Sequence, residues 1–205
     1  SNKEKYFLKK YKPWGIILFS RNIKSINQTK NLTESIKKIF SDQKYPILID
    51  EEGGKVSRLH KFIDNSIFPA QFFGNLYSSD KKKFNIFTAV YAKQICNLLH
   101  TLGININTVP VLDIRRKSSH NVIGNRSYSN KPNIVSIVGD HYIKLFHQYK
   151  VATIIKHIPG HGLAKVDSHK KTPYVNKSLN YLNKVDFFPF KKKTKPFCND
   201  CTCYL

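Results

Sequence analysis

The sequence predicts an α/β fold that is built on a parallel sheet. Three observations lead to this prediction. Short apolar runs alternate with amphipathic helical patterns, three of these runs lead into ionisable residues, and 40% of the 205 residues are hydrophobic. This hydrophobic fraction is sufficient for one globular domain with a core. Because parallel strands carry their following loops at the same edge, the functional residues are expected there.

Four buried strands are predicted from apolar runs that are rich in β-branched residues. In chain order, they cover residues 15–19, 46–50, 104–113 and 151–155. Pro110 interrupts the third run. The first strand is not followed by a glycine-rich phosphate-binding sequence, which disfavours a nucleotide-binding sheet.

Amphipathic helices separate these strands. Apolar side chains recur at helical spacing over residues 28–40 and 81–102, and Gly103 suits a C-terminal cap. Pro132 opens another helix at a position where proline is tolerated, and a further helix is predicted over about residues 179–192. A site assembled from several strand ends is the arrangement of a (β/α)8 TIM-type barrel, of which about the first four β/α units are visible.

The formal net charge of +22 at pH 7 has two interpretations. A basic stripe would indicate nucleic-acid or membrane-surface binding. Here, however, the lysines are spread along a chain rich in Asn, Ile, Phe and Tyr, which A/T-rich codons favour, so a solvated surface is preferred. We expect no specific nucleic-acid partner. The sequence has neither a run of about 18 apolar residues nor an apolar signal core, so no membrane association and a cytoplasmic location are expected.

The stretch from Lys156 to His169 is the densest group of ionisable residues. It follows the fourth predicted strand and reads Lys-His-Ile-Pro-Gly-His-Gly-Leu-Ala-Lys-Val-Asp-Ser-His. A strand that leads into a Gly/Pro loop with ionisable groups is typical of active sites in α/β proteins. Taken singly, each of these residues is more often a surface or packing residue, and Asp167 could cap a helix. The combination at this spacing indicates function.

Two strand-end segments resemble the bacterial β-N-acetylglucosaminidases of glycoside hydrolase family 3. Asp50-Glu-Glu-Gly-Gly-Lys-Val-Ser-Arg58 is similar to the second-strand signature of that family, and the Lys156–His169 stretch is similar to its defining motif. Val109-Pro-Val-Leu-Asp113 and Gly124-Asn-Arg-Ser-Tyr-Ser129 fit between them. The resemblance runs from about residue 15 to residue 190. It implies that residues 1–190 are the N-terminal part of a single catalytic barrel.

The resemblance also implies individual roles. His169 is the general acid/base and Asp167 is its partner; the substrate-binding residues are Asp50, Arg58, Arg126, Lys156 and His157. The implied reaction is the release, with retention and without a metal or other cofactor, of terminal β-linked N-acetylglucosamine. The implied substrates are the anhydro-muropeptides of peptidoglycan recycling. A histidine fits this role because it can deliver a proton near neutral pH. The alternative is a non-catalytic glycan-binding remnant.

The tail over residues 191–205 departs from the family. A retaining glycosidase needs a nucleophilic carboxylate, and neither Asp186 nor Asp200 matches the one that the family uses. Back-translating the tail with A/T-rich codons, and shifting by one base in the tract for the three lysines at 191–193, yields Ala-Met-Thr-Ala-His-Val, which resembles the fifth strand of the family. The tail is therefore predicted to be out of frame.

The four cysteines are interpreted accordingly. Cys96 lies in a helical pattern and is predicted to belong to the core. Cys198, Cys201 and Cys203 form a Cys-x-x-Cys-x-Cys cluster that could suggest a metal, but no fourth ligand follows. We interpret this cluster as an accident of the shifted frame.

Overall fold

A computed structural model describes residues 1–116, 122–166 and 172–191 and the backbone of 202–204. One sheet contains β1 (Ile16–Leu18), β2 (Ile47–Ile49), β3 (Ile106–Asn107) and β4 (Ala152–Thr153). These strands are all parallel and pair in chain order, with Ile16 opposite Ile47, Leu48 opposite Ile106, and Ile106 opposite Ala152. This sequential order is that of a barrel and not of a doubly wound sheet, whose strand order reverses. The predicted fold class is confirmed.

The fourth predicted strand is divided in two. After β4, the chain continues as β5 (Ile155–Ile158), and Lys156 of β5 bridges in parallel to Val111. The other side of β5 pairs in parallel with β6 (Thr202–Tyr204), which lies in the tail. Backbone donors and acceptors are the same in every sequence, so an open parallel edge accepts any extended segment. This pairing therefore does not require particular side chains in β6.

The helices of the described residues cover the sheet and one another. They are α1 (Asn2–Tyr11), α2 (Ile26–Phe40), α3 (Ala70–Ser79), α4 (Lys81–Thr101), α5 (Pro132–Gln148), α6 (Leu179–Lys184) and α7 (Phe188–Lys191). The side chains of Ser25 and Asp80 cap α2 and α4 by accepting from backbone N–H groups. None of the helices in these ranges combines the length and the apolar character that a membrane span requires.

The helix predicted over residues 179–192 is wrong in one respect, because it is broken into α6 and α7. Pro189 explains the break. Proline lacks a backbone N–H and its ring clashes with the carbonyl four residues earlier, so α6 cannot continue through residue 189, whereas proline is tolerated in the first turn of a new helix, where α7 places it. The two helices α1 and α3 were not predicted.

The core lies between the sheet and helices α2, α4 and α5. Its fully buried side chains come from every layer and include Ile47, Ile49, Ile95, Leu99 and Phe146. Cys96 is buried among them, which confirms its predicted place. β1 is one edge of the four-stranded sheet, and its Ile17 is 40% exposed beside a cavity of about 590 Å³ between α1 and α2.

Helix α3 packs closely against the segment that carries Arg126. The contact depends on Gly74, because a Cβ at this position would lie 1.7 Å from the backbone oxygen of Tyr128. The neighbouring atom is backbone, which cannot move without displacing the Gly124–Arg126 turn.

We therefore expect Gly74→Ala to lower the free energy of unfolding by at least about 2 kcal/mol, although alanine favours helices more than glycine does. Urea denaturation measures this change. Asn75→Ala on the exposed side of the same helix is the matched control, and we expect it to alter stability by less than about 0.5 kcal/mol. Equal stabilities of the two variants would contradict the close contact.

Candidate active site

The ionisable residues of the sequence motifs meet at the carboxyl edge of the sheet. Asp50 follows β2, Thr108 follows β3, and Lys156 and His157 lie in β5. Arg126 reaches the same place from the Gly124–Arg126 turn. Their side chains make one continuous hydrogen-bonded network, because parallel strands that end together bring their following residues to one edge.

Lys156 is the cation at the centre of this network, and its side chain is only 5% exposed. Its Nζ donates to Asp50 Oδ1 at 2.9 Å and to Thr108 Oγ1 at 2.8 Å, and it pairs with Glu52 Oε1 at 2.6 Å. An ammonium group has three donors, and here each has an acceptor. The Lys156 side chain is therefore held in one position before any ligand binds.

Glu52 joins Lys156 to Arg126. Its side chain is 3% exposed. Arg126 donates to it in a bidentate manner, from Nε to Oε2 at 2.8 Å and from Nη2 to Oε1 at 2.9 Å. Such paired, charge-assisted hydrogen bonds fix direction as well as distance. Glu52 thus sets the orientation of the guanidinium group and the place of the ammonium group together.

His157 is oriented by a carboxylate on one side and by Arg126 on the other. Its Nδ1 lies 2.6 Å from Asp113 Oδ2, and its Nε2 lies 3.2 Å from Arg126 Nη2. Arginine can only donate hydrogen bonds, so Nε2 is the acceptor and the proton of the neutral ring is on Nδ1. Asp113 is fully buried and also accepts the backbone N–H of His161 at 2.6 Å.

The electrostatics of the network favour ionised carboxylates. Burial alone would raise the pKa of Asp50, but the charge of Lys156, hydrogen bonds from Thr108 and Lys156, and the charge of Arg58 lower this pKa to about 2. Burial opposes ionisation of Glu52 as well, and the charges of Lys156 and Arg126 overcome it, so the pKa of Glu52 is also lowered. Both groups are anions near neutral pH.

Glu51 shapes the loop that holds Asp50 and Glu52. Its buried carboxylate accepts from the backbone N–H groups of Arg58 and Leu59 at 2.8 and 2.9 Å. It also accepts from the side chains of Ser57 and Asn65, both at 3.0 Å. These contacts fold residues 51–59 back on themselves. They place Arg58 beside Asp50, with Nη2 3.4 Å from Oδ2.

The glycines of the Pro-Gly-His-Gly segment have a packing role. Gly162 lies against the strand-end chain, where a Cβ would be 2.2 Å from the backbone oxygen of Ile114. Gly160 has a φ of +134°, which L side chains rarely adopt. Close approach and backbone conformation therefore account for these two glycines.

The structure brings together all five residues that were predicted to bind substrate, namely Asp50, Arg58, Arg126, Lys156 and His157. The predicted acid/base pair, Asp167 and His169, lies outside the described residues. Sequence reasoning assigned no role to Glu52, Thr108 or Asp113. Glu52 lies two positions after the end of the predicted strand at residues 46–50, within the family motif that runs from Asp50 to Arg58. This position in the sequence is the signal that could have identified it.

The network has a buried inner layer and a partly exposed outer layer. Side chains of Glu52, Asp113 and Lys156 are 0–5% exposed, whereas Asp50 is 19% and Arg58 26% exposed. The Asp50 carboxylate is an acceptor and the Arg58 guanidinium is a donor, and both face outwards from the buried layer. Such groups are suited to bind the hydroxyl and amide groups of a ligand. Within the described ranges, no three His, Cys, Asp or Glu side chains are grouped so that they could hold a metal ion.

A sequential parallel sheet with ionisable groups at its carboxyl edge defines an enzyme-type α/β barrel segment. The chain matches the model of the glycosyl hydrolase family 3 N terminal domain over residues 1–195. It therefore belongs to glycosyl hydrolase family 3.

Relatives and solved structures agree with this assignment. The chain is 32% identical over 192 residues to beta-hexosaminidase A of Pseudoalteromonas piscicida, covering 92% of this chain and 32% of that protein. It is 29% identical over 177 residues to a beta-hexosaminidase of Stenotrophomonas maltophilia, covering 86% of this chain and 52% of that protein. NagZ from Neisseria gonorrhoeae, solved in complex with N-trifluoroacetyl-D-glucosamine, superposes on this chain with a TM-score of 0.82 at 31% sequence identity. The superposition covers 93% of this chain and 56% of that one. The chain thus spans about half the length of the last two proteins.

The lowered pKa of Asp50 makes the stability of the fold depend on pH. A carboxylate whose pKa is lower in the folded chain stabilises the fold above its unfolded pKa, and this contribution is lost as the pH falls through the folded pKa. The shift from 3.8 to about 2 corresponds to about 2 kcal/mol.

We expect Asp50→Asn to lower the free energy of unfolding by about this amount at pH 7. Between pH 4 and pH 2 the loss should become progressively smaller. Urea denaturation at a series of pH values measures the difference between the two proteins. Glu34→Gln, which removes an exposed carboxylate from α2, is the control and is expected to show no such convergence. If the difference in free energy of unfolding between the wild type and Asp50→Asn were the same at pH 7 and at pH 2.5, the ion pair of Asp50 with Lys156 would be contradicted.

Proposed function

We propose that this chain is the sugar-recognition half of a β-N-acetylglucosaminidase. The observation that carries the proposal is the preformed network in which Lys156 links Asp50 to Glu52. A network that served only stability would be fully closed. This one leaves Asp50, Arg58 and His157 partly exposed at the edge where α/β barrels bind their substrates.

Terminal N-acetylglucosamine suits this arrangement chemically. Adjacent hydroxyl groups can donate to the two oxygens of the ionised Asp50 carboxylate and accept from Lys156 and Arg58. The carboxylate is ready for this role without proton loss, because its pKa is about 2. The complex of Neisseria gonorrhoeae NagZ with N-trifluoroacetyl-D-glucosamine supports a sugar of this type.

The proposed reaction is hydrolysis with retention. His169 would protonate the leaving oxygen and then activate water, and Asp167 would orient the ring and stabilise its charged form. The proposed substrates are peptidoglycan-derived anhydro-muropeptides in the cytoplasm, as the family resemblance implies. The proposed ligand is the sugar substrate alone, with no specific nucleic-acid partner and no membrane.

We propose further that the nucleophile is not encoded in these 205 residues. Asp186 is a poor candidate, because it is 2% exposed and paired with Arg116 at 3.2 Å. Burial, partly opposed by the charge of Arg116, also raises the pKa of Asp186, which disfavours a nucleophilic carboxylate. A frame shift at the lysine codons for residues 191–193 would explain this. A non-catalytic glycan-binding remnant is the second candidate.

Sugar binding without turnover is the expected behaviour of the 205-residue chain. We expect N-acetylglucosamine to bind to the wild type and to bind at least tenfold more weakly to Asp50→Asn, because a carboxylate is the stronger acceptor. Protein-observed NMR titration measures both affinities, and circular dichroism confirms that the variant is folded. Lys165→Met, at an exposed position, is the control that should bind as the wild type does. Equal affinities of wild type and Asp50→Asn would contradict the proposed site.

The absence of turnover is tested with 4-methylumbelliferyl N-acetyl-β-D-glucosaminide. Hydrolysis by this chain that disappears in His169→Ala would show that the nucleophile is present after all. Reading the gene on past Lys193 in the alternative frame, and expressing that longer product, separates the two candidates. An incomplete hydrolase gains His169-dependent turnover, and a remnant does not.

A further inference from the structure

Two arginine side chains meet one phenyl ring beside the sugar site, at the end of β1. Strands β1 and β2 pair in register, so Phe19, which follows β1, comes beside Asp50, which follows β2. The guanidinium carbon of Arg21 lies 4.9 Å from the centre of the Phe19 ring, and that of Arg58 lies 5.6 Å from it. Aromatic rings attract cations in this way. Arg21 and Arg58 are called the arginine pair below.

A closed turn fixes the backbone that carries Arg21. The N–H of Phe19 donates to Asn22 Oδ1 at 3.0 Å, and the N–H of Asn22 donates to the backbone oxygen of Phe19 at 2.8 Å. From α2, Gln28 Nε2 donates to the backbone oxygen of Asn22 at 3.1 Å. The Arg21 side chain itself is exposed, and the Arg58 side chain is 26% exposed. A ligand in solution can therefore reach a pair of cations whose attachment is already ordered.

The arginine pair has little negative charge near it. Within the described ranges, Arg21 forms no ion pair and no side-chain hydrogen bond, and the one ion pair of Arg58 is with Asp50 at 3.4 Å. The Asp50 carboxylate already accepts from Lys156 at 2.9 Å. By contrast, Lys156 and Arg126 each contact a buried carboxylate at 2.6 to 2.9 Å. The pair thus has two positive charges close together and donors that the described chain leaves largely unused.

We propose that the arginine pair binds a phosphate ester on the sugar, so that the site takes N-acetylglucosamine 6-phosphate in preference to the unmodified sugar. A phosphate monoester carries close to two negative charges at pH 7 and has three acceptor oxygens, which suits two guanidinium groups better than a single carboxylate would. The inference rests on the proposed function, because it requires the sugar to bind at Asp50.

The position of the ester on the sugar follows from the order of the strands. The proposed acid/base residues follow β5, whereas the arginine pair lies beside the end of β1, at the opposite end of the strand order. The bond to be cut must face the acid/base residues, so the arginine pair faces the hydroxyl side of the sugar. With adjacent ring hydroxyls bound to Asp50, the hydroxymethyl group is the substituent that extends beyond the ring. An ester at this group can reach the arginine pair.

The test compares N-acetylglucosamine with N-acetylglucosamine 6-phosphate on the full chain, by protein-observed NMR titration at physiological ionic strength. We expect the phosphate to bind at least about fivefold more tightly to the wild type, because the new hydrogen bonds are charge-assisted. Arg21→Met should reduce this ratio to about twofold or less and leave the affinity for the unmodified sugar unchanged. Lys24→Met removes another exposed positive charge near the same turn and should keep the wild-type ratio.

Three results would overturn the inference and leave the proposed function standing. The first is equal affinity of the wild type for the two sugars. The second is a ratio that Lys24→Met lowers as far as Arg21→Met does, because the net charge of +22 would then account for the preference. The third is binding of inorganic phosphate as tight as that of the sugar phosphate. A wild type that binds neither sugar would refute the proposed function and this inference together.

Discussion

The carboxylate of Glu52, buried between Lys156 and Arg126, is the contact on which the site depends. It connects three separate parts of the chain, namely the loop after β2, strand β5 and the Gly124–Arg126 turn. Buried ion pairs add little net stability, because desolvation offsets much of the attraction. Loss of one partner is costly, however, since it leaves an unpaired charge in the interior. The effect of Glu52 is therefore to fix geometry: it allows one arrangement of these three segments.

This constraint explains how partly exposed groups can be rigid. Lys156 uses its three donors on Asp50, Thr108 and Glu52, so its position requires no ligand. His157 is likewise held between Asp113 and Arg126. Side chains that are ordered in advance lose little conformational entropy when a ligand binds. The inner anions thus determine where the outer groups can meet a sugar.

Much of the fold follows from local pattern. The strands at residues 15–19 and 46–50, and the helices that became α2, α4 and α5, were predicted because their apolar periodicity is strong. Helix α3 was not predicted, since Gly74 lowers the helical propensity of its sequence. A glycine is required there because the helix packs against the backbone of Tyr128, which is distant in the sequence. Helix α1 exposes most of its length, and a Ser1–Glu4 capping box closes its first turn. The division of the fourth strand reflects pairing with different neighbours on either side of Ile154, which no local pattern encodes.

For the site, the family motifs identified the five residues facing the edge, but sequence spacing could not show that Glu52 lies at their centre. A crystal structure of the 205-residue chain grown with N-acetylglucosamine tests this account most directly. The account predicts a sugar at the carboxyl edge, with hydroxyl oxygens within about 3.2 Å of Asp50 and Lys156 and with the Glu52–Arg126 pair unchanged. A sugar bound away from this edge, or a Glu52–Arg126 pair that separates when the sugar is bound, would contradict it.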